Sequence, residues 1–118
     1  MSPSIAERPS QPELASSVET AFRGALVDSL EALPLGDRNM LRFHYFHGLG
    51  ADRLAEMLSI HRAAVIRQLG RIRERLLRDT RRGLAARLPL DRPALARVIE
   101  LARRRFDLVI ARVLRSRF

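Results

Sequence analysis

The chain has 118 residues and a net charge of +9, and all 22 of its basic residues are arginine. This length allows one domain with a modest core, and the absence of cysteine excludes a disulfide scaffold or a thiolate metal site. No stretch approaches the roughly 18 apolar residues of a membrane span, and no secretion signal opens the sequence. We therefore expect a cytoplasmic protein whose charge favours a polyanionic partner.

The first predicted helix follows an N-terminal tail. Residues 1–15 hold three of the six prolines and few apolar residues, which predicts a disordered tail. Ser16 and Glu19 then fit a capping box, in which each side chain hydrogen-bonds to the backbone of the other residue. Apolar residues recur at helical spacing and predict a helix over about 18–33; they are Val18, Phe22, Leu26, Leu30 and Leu33.

Two short helices are predicted next, because Pro34 and Gly36 break the first helix and Gly48 and Gly50 separate the second from the third. The second helix spans about 37–46, and its predicted buried residues are Met40, Leu41, His44 and Tyr45. The third helix spans about 51–58, and its predicted buried residues are Leu54, Ala55 and Leu58.

The fourth helix follows a three-residue turn, Ser59-Ile60-His61, in which Ile60 is expected to fill the core and His61 to lie at the N-cap. Its buried stripe recurs at steps of four, three and four and consists of Val65, Leu69, Ile72 and Leu76. We expect this helix to end near Gly83. The third and fourth helices together predict a helix-turn-helix, whose second helix enters the DNA major groove.

A connector and a long fifth helix complete the chain. The connector is expected to contain Leu84, Leu88 and Leu90, and Asp91 and Pro93 mark a helix start. The fifth helix, about 92–115, carries a heptad-like seam that we expect to pack on the first and second helices. The residues of this seam are Leu95, Ile99, Ala102, Phe106, Val109 and Val113.

These elements predict an all-α helical bundle that contains a helix-turn-helix without a wing, plus a long C-terminal helix. The predicted organisation is a tail over 1–15, a helix-turn-helix domain over 16–83 and a helical extension over 84–118. Positive charge begins with the fourth helix, since residues 61–83 hold eight arginines and two acidic residues. Four of these arginines point in different directions around the helix axis: Arg71, Arg73, Arg75 and Arg78. We therefore expect one or two of them to contact phosphate and the others to lie in water or to pair with Glu74 or Asp79.

The pattern resembles region 4 of the sigma-70 family of RNA polymerase sigma factors, in its extracytoplasmic-function form. The resemblance covers about residues 20–80, and three stretches carry it: Leu33-Pro34-x-x-Asp37-Arg38-x-x-Leu41-x-x-x-Tyr45, then Gly48-Leu-Gly-x-Asp-Arg-Leu-Ala55, then Leu58-x-Ile60-His61-x-x-x-Val65-x-x-x-Leu69-x-Arg71-x-Arg73. Residues 84–118 also resemble the C-terminal extension of a myxobacterial sigma-like group.

The resemblance implies a bacterial, nucleoid-associated protein that reads the promoter −35 element in double-stranded DNA and contacts RNA polymerase core. Carried over by position, the DNA-binding residues are His61, Arg62, Ala63, Ile66, Arg67 and Arg71, the last as a phosphate clamp. The chain departs from the family pattern at three positions. Members often have Ser or Thr where this chain has His61 and Ala64, and a basic or polar residue where it has Ile66. No region 2 precedes the domain, so we expect this chain alone not to act as a complete sigma factor.

Two alternatives stay open at this point. One is a stand-alone helix-turn-helix regulator that forms a homodimer through residues 92–115. The other is an interaction module that binds polymerase or an anti-sigma partner without reading DNA. No cofactor, metal or membrane partner is expected, because His44 and His47 lack further ligands at a standard spacing. The acidic residues form no catalytic set, so we expect no enzyme.

Overall fold

The computed structural model describes the backbone of residues 11–118 and the side chains of residues 17–118. The described part of the chain contains α-helices and no β-strand, so the all-α prediction is confirmed. Its elements are α1 (Gln11–Glu31), α2 (Leu35–Leu41) with a π-helical turn that directly follows it (Arg42–Phe46), α3 (Ala51–Leu58), α4 (Arg62–Arg87) and α5 (Arg92–Arg117). Over these same residues, no helix combines the length and the apolar character needed to cross a membrane.

Helix α1 begins earlier than the sequence predicts. The backbone is helical from Gln11, so the helix includes the last five residues of the predicted tail, and residues 1–10 lie outside the described residues. Ser16 is therefore an interior position, and the predicted N-cap at this residue is wrong. Pro12 lies in the first turn, where its missing N–H costs no hydrogen bond, and no helix breaker follows it before Pro34.

Helix α4 continues through Gly83, where the sequence predicts an end. It runs to Arg87, and the predicted connector residue Leu84 is a fully buried helical residue. A Cβ atom added at Gly83 would lie 2.9 Å from the Cβ of Ala25, which is closer than carbon atoms approach in real structures. Glycine thus serves the close packing of α4 on α1, and the predicted domain boundary at residues 83 and 84 falls inside a helix.

The contact between α1 and α4 also encloses polar groups. Thr80 is fully buried and donates to the hydroxyl of Ser29 at 3.4 Å, while that hydroxyl donates to the carbonyl of Ala25 at 2.8 Å. At the same interface Arg87 pairs with Asp28. Because each buried hydroxyl has a partner, this contact avoids the cost of an unsatisfied polar group.

The second predicted helix is present but is not regular. Its first part is α-helical, and Met40 and Leu41 are buried as predicted. The π-helical turn that follows is closed by a bond from the N–H of His47 to the carbonyl of Arg42 at 3.1 Å. Tyr45 in this turn is half-buried against α5. Gly48 then takes a positive φ of 70°, which ends the helix as expected.

Helix α5 packs on the rest of the same chain. Asp91 caps it by accepting a 2.8 Å hydrogen bond from the N–H of Ala94. The ring of Phe106 lies edge-on to the ring of Phe22 at 6.3 Å, and the seam faces the core as predicted. Periodicity missed Ile110 and Leu114, which are also fully buried. One hydrophobic cluster joins all five helices, including Leu26, Leu41, Leu54, Leu76 and Ile110.

Candidate nucleic-acid interface

The turn between α3 and α4 is built around Ser59. This residue has φ 56° and ψ 44°, a left-handed conformation that lets the chain reverse direction sharply after α3. The N–H of Ile60 then bonds to the carbonyl of Ala55 at 3.1 Å. The backbone of His61 is extended, and its carbonyl accepts from the N–H groups of Ala64 and Val65, so His61 is the N-cap residue as predicted. Its side chain makes no capping hydrogen bond.

Two residues expected in the core of the motif are exposed instead. Leu58 is 42% exposed and Ile60 is 38% exposed, so both burial predictions are wrong. The contact between α3 and α4 is closed by Leu54 and Val65, which are fully buried. Ala55 is partly buried and packs against the core, as expected for the close crossing of the two helices. With the core already closed, the end of α3 and the turn present apolar side chains to solvent.

The structure places all six predicted DNA-binding residues on the exposed surface of α4 or at its start. Arg62 contacts Asp52 of α3, with 2.8 Å between Nε and Oδ1, and both side chains are more than half exposed. Ile66 is 47% exposed, a large value for a β-branched apolar residue. The full exposed set is His61, Arg62, Ala63, Ile66, Arg67 and Arg71.

The arginines of α4 divide into paired and unpaired groups. Arg73 pairs with Asp107, Arg75 with Asp79, and Arg82 with the same Asp79 at 3.9 Å. Arg73 was not expected to pair across the fold, since its partner lies 34 residues later in the chain. Among the side chains that the structure describes, four arginines of α4 have no ion-pair partner: Arg67, Arg71, Arg78 and Arg81.

These four residues form what we call the arginine stripe. They follow one another at steps of four, seven and three residues, which places them on one side of the helix. The stripe spans about 21 Å along α4, at 1.5 Å per residue. Glu74 projects from the same side and divides it into two pairs of arginines. The pair Arg67 and Arg71 is the one nearest the turn.

Asp107 of α5 is a residue of this surface that the sequence analysis did not identify. Its two carboxylate oxygens each accept from Nη2 of Arg73 at 2.7 Å, and Oδ1 also accepts from the hydroxyl of Tyr45 at 2.7 Å. Burial raises the pKa of the Tyr45 phenol, and the hydrogen bond to Asp107 raises it further. Tyr45 therefore stays protonated and continues to donate. No local pattern signals this cluster, because its three members come from three elements.

The histidines considered for metal binding have other surroundings. Nδ1 of His44 lies 2.8 Å from the carbonyl oxygen of Leu49, so this side chain braces the loop before α3. His47 is exposed, and its ring lies against Phe46 at 4.9 Å. Across residues that the structure describes, no group of three or more metal-ligating side chains comes together.

The geometry defines a helix-turn-helix domain whose second helix is exposed, basic and only partly neutralised by the rest of the fold. Residues 23–76 match the family model of sigma-70, region 4, over somewhat less than half of the chain. The match supports a sigma-70 region 4 domain over these residues, in agreement with the resemblance that the motifs predict. Domains of this family are DNA-binding domains of transcription initiation rather than enzymes. A search of curated proteins and of solved structures found no significant match.

Proposed function

We propose that this protein recognises a short promoter element in duplex DNA by placing the start of α4 in the major groove, as region 4 does at the −35 element. The observation that carries the proposal is the arginine stripe. Four guanidinium groups, which have no carboxylate partner among the side chains of residues 17–118, stand on one side of the helix that follows the turn. A helix-turn-helix presents this part of its second helix to base edges and phosphates.

The predicted residues have different roles in this arrangement. Arg67 lies near the start of α4 and is suited to donate two hydrogen bonds to a guanine edge. Arg71, one turn later, contacts phosphate and adds affinity for every sequence. Arg62 reaches the groove from beside Asp52, since an exposed ion pair of this kind is held by about 1 kcal/mol or less and rearranges readily. His61, Ala63 and Ile66 complete the surface that faces the bases.

The test begins with selection of binding sites from a random duplex pool by the full chain. Kd is then measured for the selected site and for a scrambled duplex over a series of salt concentrations. We expect Arg67→Ala to cost about 1–3 kcal/mol on the selected site and to relax preference at one position. Arg71→Ala should weaken both duplexes alike and lower the salt slope by about one.

Arg97→Ala is the matched control, because Arg97 is exposed on α5 and has no ion pair within residues 17–118. It should leave the preference for the selected site unchanged. The proposal of specific recognition fails if the pool yields no enriched sequence, or if the selected and scrambled duplexes bind equally at every salt concentration.

A second function, contact with RNA polymerase, is favoured by the exposed apolar residues at the end of α3. Met57 is 46% exposed and lies beside Leu58 in sequence, and Ile60 follows in the turn. Exposed apolar residues that adjoin one another favour a protein partner, and the match to region 4 favours RNA polymerase core as that partner. We expect Leu58→Ser to weaken co-sedimentation with core polymerase while leaving DNA affinity unchanged. If the unsubstituted protein and Leu58→Ser co-sediment with core polymerase equally, this contact is excluded.

A further inference from the structure

The exposed side of α4 carries an apolar strip beside the arginine stripe. The strip consists of Ala63, Ile66 and Gly70, which lie at steps of three and four residues and so form one line along the helix. Ala63 is exposed and Ile66 is 47% exposed. A Cβ added at Gly70 would have no atom within 4 Å, so this end of the strip is open space.

The strip is bordered by arginines on both sides. Arg62 and Arg73, on one flank, are held by carboxylates of α3 and α5. Arg67 and Arg71, on the other flank, belong to the arginine stripe. A single exposed isoleucine on a protein surface is ordinary. What distinguishes Ile66 is its position between arginines on the helix that enters the groove.

The chemistry of the strip limits what it can recognise. Its side chains have no hydrogen-bond donor or acceptor, so they cannot pair with the polar edges of bases. In the major groove the one apolar group that distinguishes a base is the 5-methyl group of thymine. A branched aliphatic side chain that meets this methyl excludes water from both surfaces, whereas the amino group of cytosine or adenine would lose hydration against it.

We propose that Ile66 is a specificity-determining residue that selects thymine by contact with its 5-methyl group. The inference rests on the proposed function, because it requires α4 to lie in the major groove. Gly70 contributes by leaving space for the groove wall one turn further along the helix.

The experiment uses the site selected by the full chain and replaces each thymine, one at a time, with deoxyuridine, which lacks only the methyl group. We expect one position at which the replacement weakens binding about fourfold, the effect of one buried methyl-sized group. With Ile66→Ala, the duplexes with thymine and deoxyuridine at that position should bind equally. With Arg67→Ala, binding should be weaker overall but the difference between the two duplexes should persist.

Leu108→Ala provides the matched control, because Leu108 is 53% exposed and lies on α5. It should keep the full difference between thymine and deoxyuridine. The inference is overturned if no thymine of the selected site responds to loss of its methyl group, or if the response survives in Ile66→Ala. Either result leaves the proposed function intact, since that function fails only if no sequence is enriched or preferred.

Discussion

Ser59 and Gly83 show how single residues adapt the backbone at two contrasting places. Ser59 takes a left-handed conformation that is unfavourable for any residue with a Cβ atom. Gly83 has no need of a left-handed conformation, but its missing side chain allows α4 to approach Ala25 of α1. One position would benefit from glycine and has serine, and the other depends on the glycine it has.

Replacing Ser59 by glycine should stabilise the protein. Glycine removes the steric cost of the left-handed conformation, and its greater freedom in the unfolded chain offsets part of the gain. We expect an increase of about 0.5–1 kcal/mol in the free energy of unfolding, measured by urea denaturation. Ser59→Ala, which keeps a Cβ atom, should give no such increase. A loss of stability in Ser59→Gly would contradict this account of the turn.

The two glycines of α4 should respond in opposite ways to the same substitution. Gly70→Ala meets nothing within 4 Å and should stabilise the protein by about 1 kcal/mol through helix propensity alone. Gly83→Ala places its methyl group against Ala25 and should destabilise by about 1–2 kcal/mol, because the packed helices must separate. Thermal denaturation of the two variants tests this. Equal shifts of Tm in the same direction would refute the packing role of Gly83.

At the scale of elements, α5 is joined to α4 and to the π-helical turn by one carboxylate. Asp107 accepts from both Arg73 and Tyr45, so one side chain links three elements. The same contact removes Arg73 from the set of unpaired arginines on α4. Which arginines of α4 are unpaired is therefore decided partly by a helix outside the segment that matches region 4.

The coupling between Arg73 and Asp107 can be measured by a double-mutant cycle. Both side chains are about half exposed, so we expect a coupling energy of about 0.5–1 kcal/mol that decreases as salt is added. Variants Arg73→Ala, Asp107→Ala and the double variant should be compared by urea denaturation at low and high salt. The pair Arg53 and Glu56, one turn apart on α3, gives a local reference. If the effects of the two single substitutions on the free energy of unfolding add up to that of the double variant, the contact contributes nothing to stability.

At the scale of the whole molecule, the C-terminal helix completes the core of the segment that matches region 4. The hydrophobic cluster runs without interruption from α1 to α5. Two contacts hold the far end of α5: Arg117 lies 4.0 Å from Glu31, and Phe118 lies beneath the guanidinium group of Arg38 at 5.3 Å. The seam that would serve a homodimer faces inward in this arrangement, so a dimer through it would have to displace the chain's own packing.

Removing the ring of Phe106 should test whether α5 is integral to the fold. Phe106 is 6% exposed and packs on Phe22, so we expect Phe106→Ala to lower the free energy of unfolding by about 3–5 kcal/mol. Leu108→Ala, on the exposed side of the same helix, should change it by less than about 0.5 kcal/mol. Unfolding should remain one cooperative transition. Two separate transitions would instead indicate that residues 84–118 form an independent unit.

The sequence by itself determined the order of the helices and the helix-turn-helix motif, though not where α1 begins or α4 ends. Hydrophobic spacing identified the buried stripe of Val65, Leu69, Ile72 and Leu76, and the glycines and turn residues bounded α3 correctly. Helix formation and the period of a buried face depend on residues within a few positions of one another, so a local pattern contains this information. The offsets between Gly48 and Arg73, together with the stretch from Leu33 to Tyr45, indicated the resemblance to sigma region 4.

Only the tertiary structure decided which arginines of α4 pair with carboxylates. The pairing of Arg73 depends on Asp107, and the need for glycine at position 83 depends on Ala25. Both partners are distant along the chain. The exposure of Leu58 and Ile60 likewise follows from Leu54 and Val65 closing the core without them. Charge pairing and packing depend on distances in space that no local pattern encodes. The sequence therefore predicted a basic helix after the turn. The fold pairs the other arginines of this helix with carboxylates, which leaves the arginine stripe beside the apolar strip.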